Sequence, residues 1–189
     1  MALSFKSPVS ARDKIAQHRR RPIPQAQGPQ MIVFATEVHV SDFTGREVTE
    51  FLCRCTDAEY QSWWPGTHLR FHTARGEAGV LGAVVYMDEY VGAYRVRGHA
   101  VLRDHRPGER LLVQMVWQRI PLPVFVDILL RDDPAGVTIR HEVRIGFAGI
   151  GALLDPIFGL GHGPDFAAAL DAHVREEFPR LRDMLQARP

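Results

Sequence analysis

The chain has 189 residues, of which 46% are hydrophobic and 24% charged, and its formal net charge is +1. This length and balance predict one globular domain that buries its own core. No apolar run approaches the roughly 20 residues needed to cross a bilayer, and the start of the chain lacks the apolar stretch of a secretory signal. We therefore expect a cytoplasmic protein without a membrane span.

The two cysteines, Cys53 and Cys55, are separated by one residue. On a helix such a pair points to different faces, so we expect two reduced thiols rather than a disulfide. Two thiols are also too few for a structural zinc site.

Basic residues are concentrated at the start of the chain. Residues 1–30 contain six Lys or Arg against one Asp, and they are rich in Pro and Gln. We interpret them as a basic, flexible tail and place a single domain over 31–189. Because that domain is net negative, it lacks the basic surface that nucleic-acid binding requires, and we expect no nucleic-acid partner.

A strand and two short helices are predicted next. In 31–40 apolar residues recur at every second position, which indicates a strand. Thr44 with Glu47, and Thr56 with Glu59, each fit a capping box. These signals predict two helices in tandem, the second of which ends at a Pro-Gly pair.

Six further strand-like segments follow without a helical pattern between them. Each break contains a turn residue or a proline, which favours an antiparallel meander over alternating parallel units. The predicted strands are 67–73, 80–91, 94–103, 110–118, 124–131 and 137–147.

The end of the chain predicts a lid and a long helix. Segment 147–163 is rich in Gly and Leu and is expected to form a short apolar helix or lid. A proline and an acid at 164–165 then mark a helix start. Pro179 lies inside this helix and should kink it. The apolar residues of its buried face are Phe166, Leu170, Val174, Phe178, Leu181 and Leu185.

Four motifs carry a resemblance to a known family: Tyr60-x-x-Trp63-Trp64-Pro65, Gly108-Glu109-Arg110-Leu111, Gly146-Phe147-x-Gly149 and His173-x-x-x-Glu177-x-x-x-Leu181. With the order of elements, they resemble the START/SRPBCC superfamily, the helix-grip fold of the birch pollen allergen. Within it the likeness is to the polyketide cyclase/dehydrase and lipid-transport group. The resemblance implies an α+β fold, with a curved seven-stranded antiparallel sheet around a long C-terminal helix. It also implies an internal cavity for a small hydrophobic ligand.

Alternation along the last strand places one polar group among the residues that would line such a cavity. His141 shares a face with Val137, Ile139, Val143 and Ile145. It is a weak candidate for a general base or for a hydrogen-bond donor to a ligand. Equally, it could be a buried histidine satisfied by a neighbouring group.

Other aromatic and polar residues are candidates for ligand binding. A hydroxyl or ring nitrogen in an apolar cavity could orient an oxygenated ligand, although these residues could equally fill the core or have structural roles. The candidates besides His141 are Trp64, His68, Tyr86, Tyr94, Trp117, Phe125, Phe158 and His173.

We expect no metal and no other cofactor. His68 and His72 could share a metal on a helix, but on a strand four residues span roughly 13 Å. The sequence also has no dinucleotide-binding glycine pattern, no P-loop and no Gly-x-Ser-x-Gly nucleophile elbow.

Three functions are compatible with these patterns. The first is binding of a lipid, a polyketide or an aromatic metabolite in the cavity. The second is a cyclase/dehydratase-like enzyme in which His141 and a tyrosine exchange protons with the substrate. The third is an interaction protein with a vestigial cavity. The chain could act as a monomer or as a homodimer.

Overall fold

The computed structural model describes residues 31–146 and 163–187. Within these ranges seven strands form one antiparallel sheet in the order β1-β7-β6-β5-β4-β3-β2. The strands are β1 (Ile32–Ser41), β2 (His68–Arg75), β3 (Val84–Val91), β4 (Tyr94–Arg106), β5 (Arg110–Trp117), β6 (Ile120–Asp133) and β7 (Gly136–Ile145). The predicted helix-grip architecture, a curved sheet around a C-terminal helix, is confirmed.

Two short helices connect β1 to β2, as the capping boxes predict. Helix α1 spans Gly45–Arg54 and helix α2 spans Asp57–Trp63. The Thr44 hydroxyl accepts from the Glu47 amide, and the Glu47 carboxylate accepts from the Thr44 amide; α2 starts with the same reciprocal pair. Each box satisfies amide groups that a helix start would otherwise leave without partners.

Strand β6 begins earlier than its prolines suggest. The prediction starts it at Val124, after Pro121 and Pro123, whereas the observed strand begins at Ile120. Val124 is the first β6 residue that pairs with β7, so Pro121 lies where β6 has β5 alone as its ladder partner, and Pro123 lies at the register irregularity between β5 and β6. Proline is tolerated at such an edge because its missing N–H removes no ladder hydrogen bond on that side.

Strand β3 begins later than predicted, and β4 ends later. Residues 80–83 form turns rather than the start of β3, and Gly82 adopts a positive φ there. Strand β4 continues to Arg106, because β5 pairs with it as far as Arg110.

The C-terminal helix α3 spans Pro164–Gln186 and packs against the sheet. Its buried face includes Val174, Phe178 and Leu181, each at most 1% exposed. The Thr36 hydroxyl of β1 donates to Asp171 of α3 at 2.9 Å. Apolar packing and this hydrogen bond therefore hold α3 against the first strand. No helix among the described residues combines the length and the apolar character that a membrane crossing demands.

The predictions for 1–30 and for a lid over 147–163 lie outside the described residues, except for Gly163 at the start of α3.

Substitution of Gly136, at the β6–β7 turn, tests how closely β1 approaches this turn. A Cβ at this position would lie 2.1 Å from the Val40 carbonyl oxygen, and the residue has φ +155°. We expect Gly136→Ala to lower the free energy of unfolding by about 2–4 kcal/mol, through steric overlap and backbone strain. Chemical denaturation measures this change.

Gly82→Ala is the matched control. Gly82 has φ +86°, but a Cβ there would meet no atom within 4 Å. Its cost should be the conformational strain alone, roughly 1–2 kcal/mol. Equal losses in the two variants would contradict the close approach of Val40 to the turn.

Candidate functional site

A cavity of about 320 Å³ lies between the inner face of the sheet and α3. Alternation selects its walls: along β6, Leu122, Val124, Val126 and Ile128 face inward, while the residues between them face outward. Side chains of five other strands, of α3 and of helices α1 and α2 contribute the rest. The remaining apolar walls include Phe71, Val85, Met87, Val96, Leu111, Val113, Met115, Val143, Phe166 and Phe178.

Polar side chains interrupt this apolar lining. His68 begins β2, Glu89 lies on β3, and His173 and Glu177 lie one turn apart on α3. One ligand-type atom from each of these four residues lies within 4.8 Å of the others. We call these four residues the polar cluster. All four side chains are buried, and His68 is 0% exposed.

The separations within the polar cluster are longer than hydrogen bonds. His68 Nε2 lies 3.6 Å from Glu177 Oε1 and 3.8 Å from Glu89 Oε2. His173 Nε2 lies 4.0 Å from Glu89 Oε2 and 3.9 Å from Glu177 Oε2. The two histidines and the two carboxyl groups therefore surround a shared point without bonding to one another.

Helix α2 supports the polar cluster. The Tyr60 hydroxyl donates a hydrogen bond to Glu89 Oε2. Trp63 Nε1 donates to the Glu177 backbone oxygen at 2.7 Å, which joins α2 to α3. The Tyr60 ring stacks on His68 with centroids 3.9 Å apart. The two aromatic residues of α2 thus fix the positions of groups from β2, β3 and α3.

Burial disfavours charge on each group of the polar cluster. It lowers the pKa of His68 to about 3, with a further lowering from His173, and it lowers the pKa of His173 to about 4. It raises the pKa of Glu89 to about 7, against the opposing effect of the hydrogen bond from Tyr60. The pKa of Glu177 is raised well above its ordinary value by burial and then by Glu89. The close His–Glu contacts therefore join groups that favour their neutral forms, and they are not ordinary ion pairs.

The structure brings three of the sequence candidates together at the polar end of the cavity. His173 lines the cavity, and His68 lies beside it in the polar cluster. The Trp64 ring stacks on His173, with centroids 4.8 Å apart. The guanidinium group of Arg180 lies over the Trp64 ring, 4.7 Å from its centroid. Trp64 thus contacts the polar cluster from outside the cavity wall.

His141 also lines the cavity, on β7. Burial lowers its pKa to about 4, so the ring is neutral at neutral pH. The imidazole of His141 therefore lies at the cavity wall, on the face of β7 that was predicted to point inward.

Four other candidates lie away from the cavity wall. Tyr86 contacts His72 and His99, and Phe125 lies beneath Arg144, so both rings are on the outer face of the sheet. Tyr94 packs edge-on against Phe166 at the rim, and Trp117 is 62% exposed. Phe158 lies outside the described residues.

The sequence analysis does not select Tyr60, Glu89 or Glu177 as site residues. Tyr60 and Glu177 appear there as parts of family-like motifs, and Glu89 sits in a strand in which alternation is its sole signal. On β3, Glu89 shares its face with Val85, Met87 and Val91. The sequence signal that could have identified Glu89 as a site residue is the position of an acidic side chain on the apolar face of a strand.

The fold and the site define a helix-grip protein with an apolar internal cavity and a buried polar cluster. Neither family models nor curated proteins match this sequence. Solved structures do match it, at the level of the fold. The KanY protein is 9% identical and the major latex-like protein 151 of Panax ginseng 8%; each has a TM-score of 0.57, over 84% of this chain and 99% of the other.

The di-domain ARO/CYC protein BexL of the BE-7585A biosynthetic pathway is 16% identical, with a TM-score of 0.52, over 84% of this chain and 51% of BexL. Identities this low establish the fold alone. They confirm the helix-grip fold that the sequence resemblance implies.

The hydrogen bond from Tyr60 to Glu89 can be tested by Tyr60→Phe. The change leaves a buried carboxyl group without its donor, so we expect the free energy of unfolding to fall by about 1–3 kcal/mol. Tyr86→Phe, on the outer face of the sheet, is the control and should change it by at most about 0.5 kcal/mol. Equal effects in urea denaturation would show that the buried hydrogen bond contributes nothing measurable.

Proposed function

We propose that the protein binds a small hydrophobic molecule in the cavity between the sheet and α3. The observation that supports this most strongly is the cavity itself, about 320 Å³ with a largely apolar lining. Ligand pockets commonly measure roughly 300–1,000 Å³ and combine apolar walls with few polar groups. This volume is at the lower end of that range and favours a compact ligand.

The distribution of polar groups indicates what kind of hydrophobic molecule would fit. Glu89, His173 and Glu177 line part of a wall that is otherwise largely apolar. A ligand with an apolar body and an oxygen-bearing group could place that group there. Lipids, polyketides and aromatic metabolites all include molecules of this form. We also propose that the protein is cytoplasmic and that it acts as a monomer or as a homodimer.

The first test is mass spectrometry of the protein purified from its native host. Spectra under native and denaturing conditions should differ by the mass of one small apolar molecule that is released on denaturation. A bare protein mass under both conditions would contradict stable storage of a ligand.

A cavity-filling variant tests where an apolar probe binds. Val126 lines the cavity, whereas Ile120 on the same strand is 58% exposed. We expect Val126→Trp to weaken binding of 1-anilinonaphthalene-8-sulfonate at least about tenfold, because the indole would occupy the cavity. Ile120→Trp should leave binding unchanged. Fluorescence titration of both folded variants measures this, and equal affinities would place the probe elsewhere.

An enzyme of the cyclase/dehydratase kind is the second candidate. The presence of His141 in the cavity wall favours it, since a purely apolar cargo has no need of an imidazole. Once a ligand is identified, His141→Leu should abolish its conversion while retaining its binding. Product analysis by chromatography measures conversion, and unchanged turnover would remove His141 from the reaction.

A further inference from the structure

We propose that the polar cluster binds one first-row divalent metal ion, with Zn²⁺ as the best match, at the edge of the cavity. This inference does not depend on the cavity holding a hydrophobic ligand. It replaces the expectation, drawn from the sequence, that the protein has no metal.

The geometry of the donor atoms supports a single shared ion. In tetrahedral zinc sites the metal–ligand distances are about 2.0–2.2 Å, so neighbouring donor atoms lie about 3.4 Å apart. The four His–Glu separations in the polar cluster run from 3.6 to 4.0 Å, with Glu177 facing His68 through Oε1 and His173 through Oε2. One donor atom from each of the four residues lies within 4.8 Å of the others. Small side-chain movements would bring all four donors to one ion. The same distances are too long for direct hydrogen bonds.

The histidines supply a second, independent observation. His68 is completely buried, yet neither of its ring nitrogens makes a hydrogen bond to any residue in 31–146 or 163–187. The buried Nε2 of His173 likewise has no partner within these ranges. Buried polar atoms in proteins are nearly always bonded, and leaving them unbonded is costly. A metal ion would satisfy the nitrogens that face the two carboxyl groups.

The charges of the donors match a divalent ion. Two ionised glutamates would neutralise the two positive charges of the metal, so the loaded site would carry no net charge in a low-dielectric interior. Ionised carboxylates are unfavourable at this depth without such a cation.

Neighbouring groups resemble the outer shell of a metal site. The Tyr60 hydroxyl donates to Glu89 and would hold that carboxylate in place. Carboxylates that ligate metals are commonly hydrogen-bonded in this way.

The donor set also restricts the metal. Imidazole nitrogens suit zinc and other first-row transition ions, whereas Ca²⁺ and Mg²⁺ prefer sites built from oxygen alone. Neither cysteine belongs to the group of residues that surround the shared point. The proposed site therefore has two nitrogen and two oxygen donors and no sulfur.

The test is a metal titration of the full chain after dialysis against a chelator. We expect one equivalent of Co²⁺ to bind, with visible absorption typical of four-coordinate Co²⁺, and Zn²⁺ to displace it. His173→Gln and Glu177→Gln, which keep the approximate shape of each side chain, should each bind at least about 100-fold more weakly. Tyr60→Phe should lose about 10- to 100-fold in affinity.

His72→Gln is the matched control, since His72 lies on the same strand as His68 but pairs with Asp57 instead. It should bind Co²⁺ like the wild type. The proposal is overturned if the folded wild-type protein binds no stoichiometric metal, or if both cluster variants bind it as tightly as His72→Gln.

A second measurement applies if a cluster variant does not fold. X-ray absorption of the Zn²⁺-loaded wild type should show nitrogen and oxygen donors at about 2.0–2.2 Å. Sulfur in the coordination sphere would overturn the site. Binding of 1-anilinonaphthalene-8-sulfonate, measured in the same samples, separates loss of the metal site from loss of the hydrophobic cavity.

Discussion

The burial of two imidazoles and two carboxyl groups in an otherwise apolar interior is the constraint on which the arrangement of α2, β2, β3 and α3 depends. Polar groups at this depth are costly unless they meet one another or a ligand. The four groups come from three elements, and α2 adds the hydroxyl of Tyr60 and the indole of Trp63. The helices and strands must therefore hold one relative position for the polar cluster to exist at all. Apolar packing alone, which is non-directional, would allow many similar arrangements.

The two faces of the sheet differ in the side chains that cover them. The inner face is largely apolar and encloses the cavity. On the outer face, Asp127 is 3% exposed because Arg110 and Arg144 cover it, at 2.6 and 3.1 Å. An acidic residue opposite an apolar row would be expected to face solvent. The long arginine side chains instead close over it and extend packing to the outer surface.

The sequence predicted the fold well because its signals are local. Capping boxes marked α1 and α2, and turn residues separated the strands, since both depend on groups a few residues apart. The site was harder to predict. Glu89 and Glu177 are 88 positions apart in the numbering, and no spacing rule links them. Register shifts in β2, β4 and β5 also limit alternation: Trp117 follows the irregularity between Gln114 and Val116 and lies exposed at the strand end. The pairing of distant strands and helices determines which side chains come into contact, and a single sequence does not reveal that pairing.

In the proposed function, the cavity and the polar cluster would contribute to ligand recognition in different ways. The walls come from the middle of the strands, where side chains of successive strands determine the shape available to an apolar body. The polar groups come from the start of β2, from β3 and from α3, where aromatic residues of α2 fix their orientation. An apolar wall gives affinity with little directionality, whereas buried polar groups reject a molecule that leaves them unsatisfied. A metal ion at the polar cluster would sharpen that selection, because it would favour ligands whose oxygen atom can approach it. In the proposed function, substitutions in the strands would therefore change the preferred ligand shape without disturbing the groups of the polar cluster.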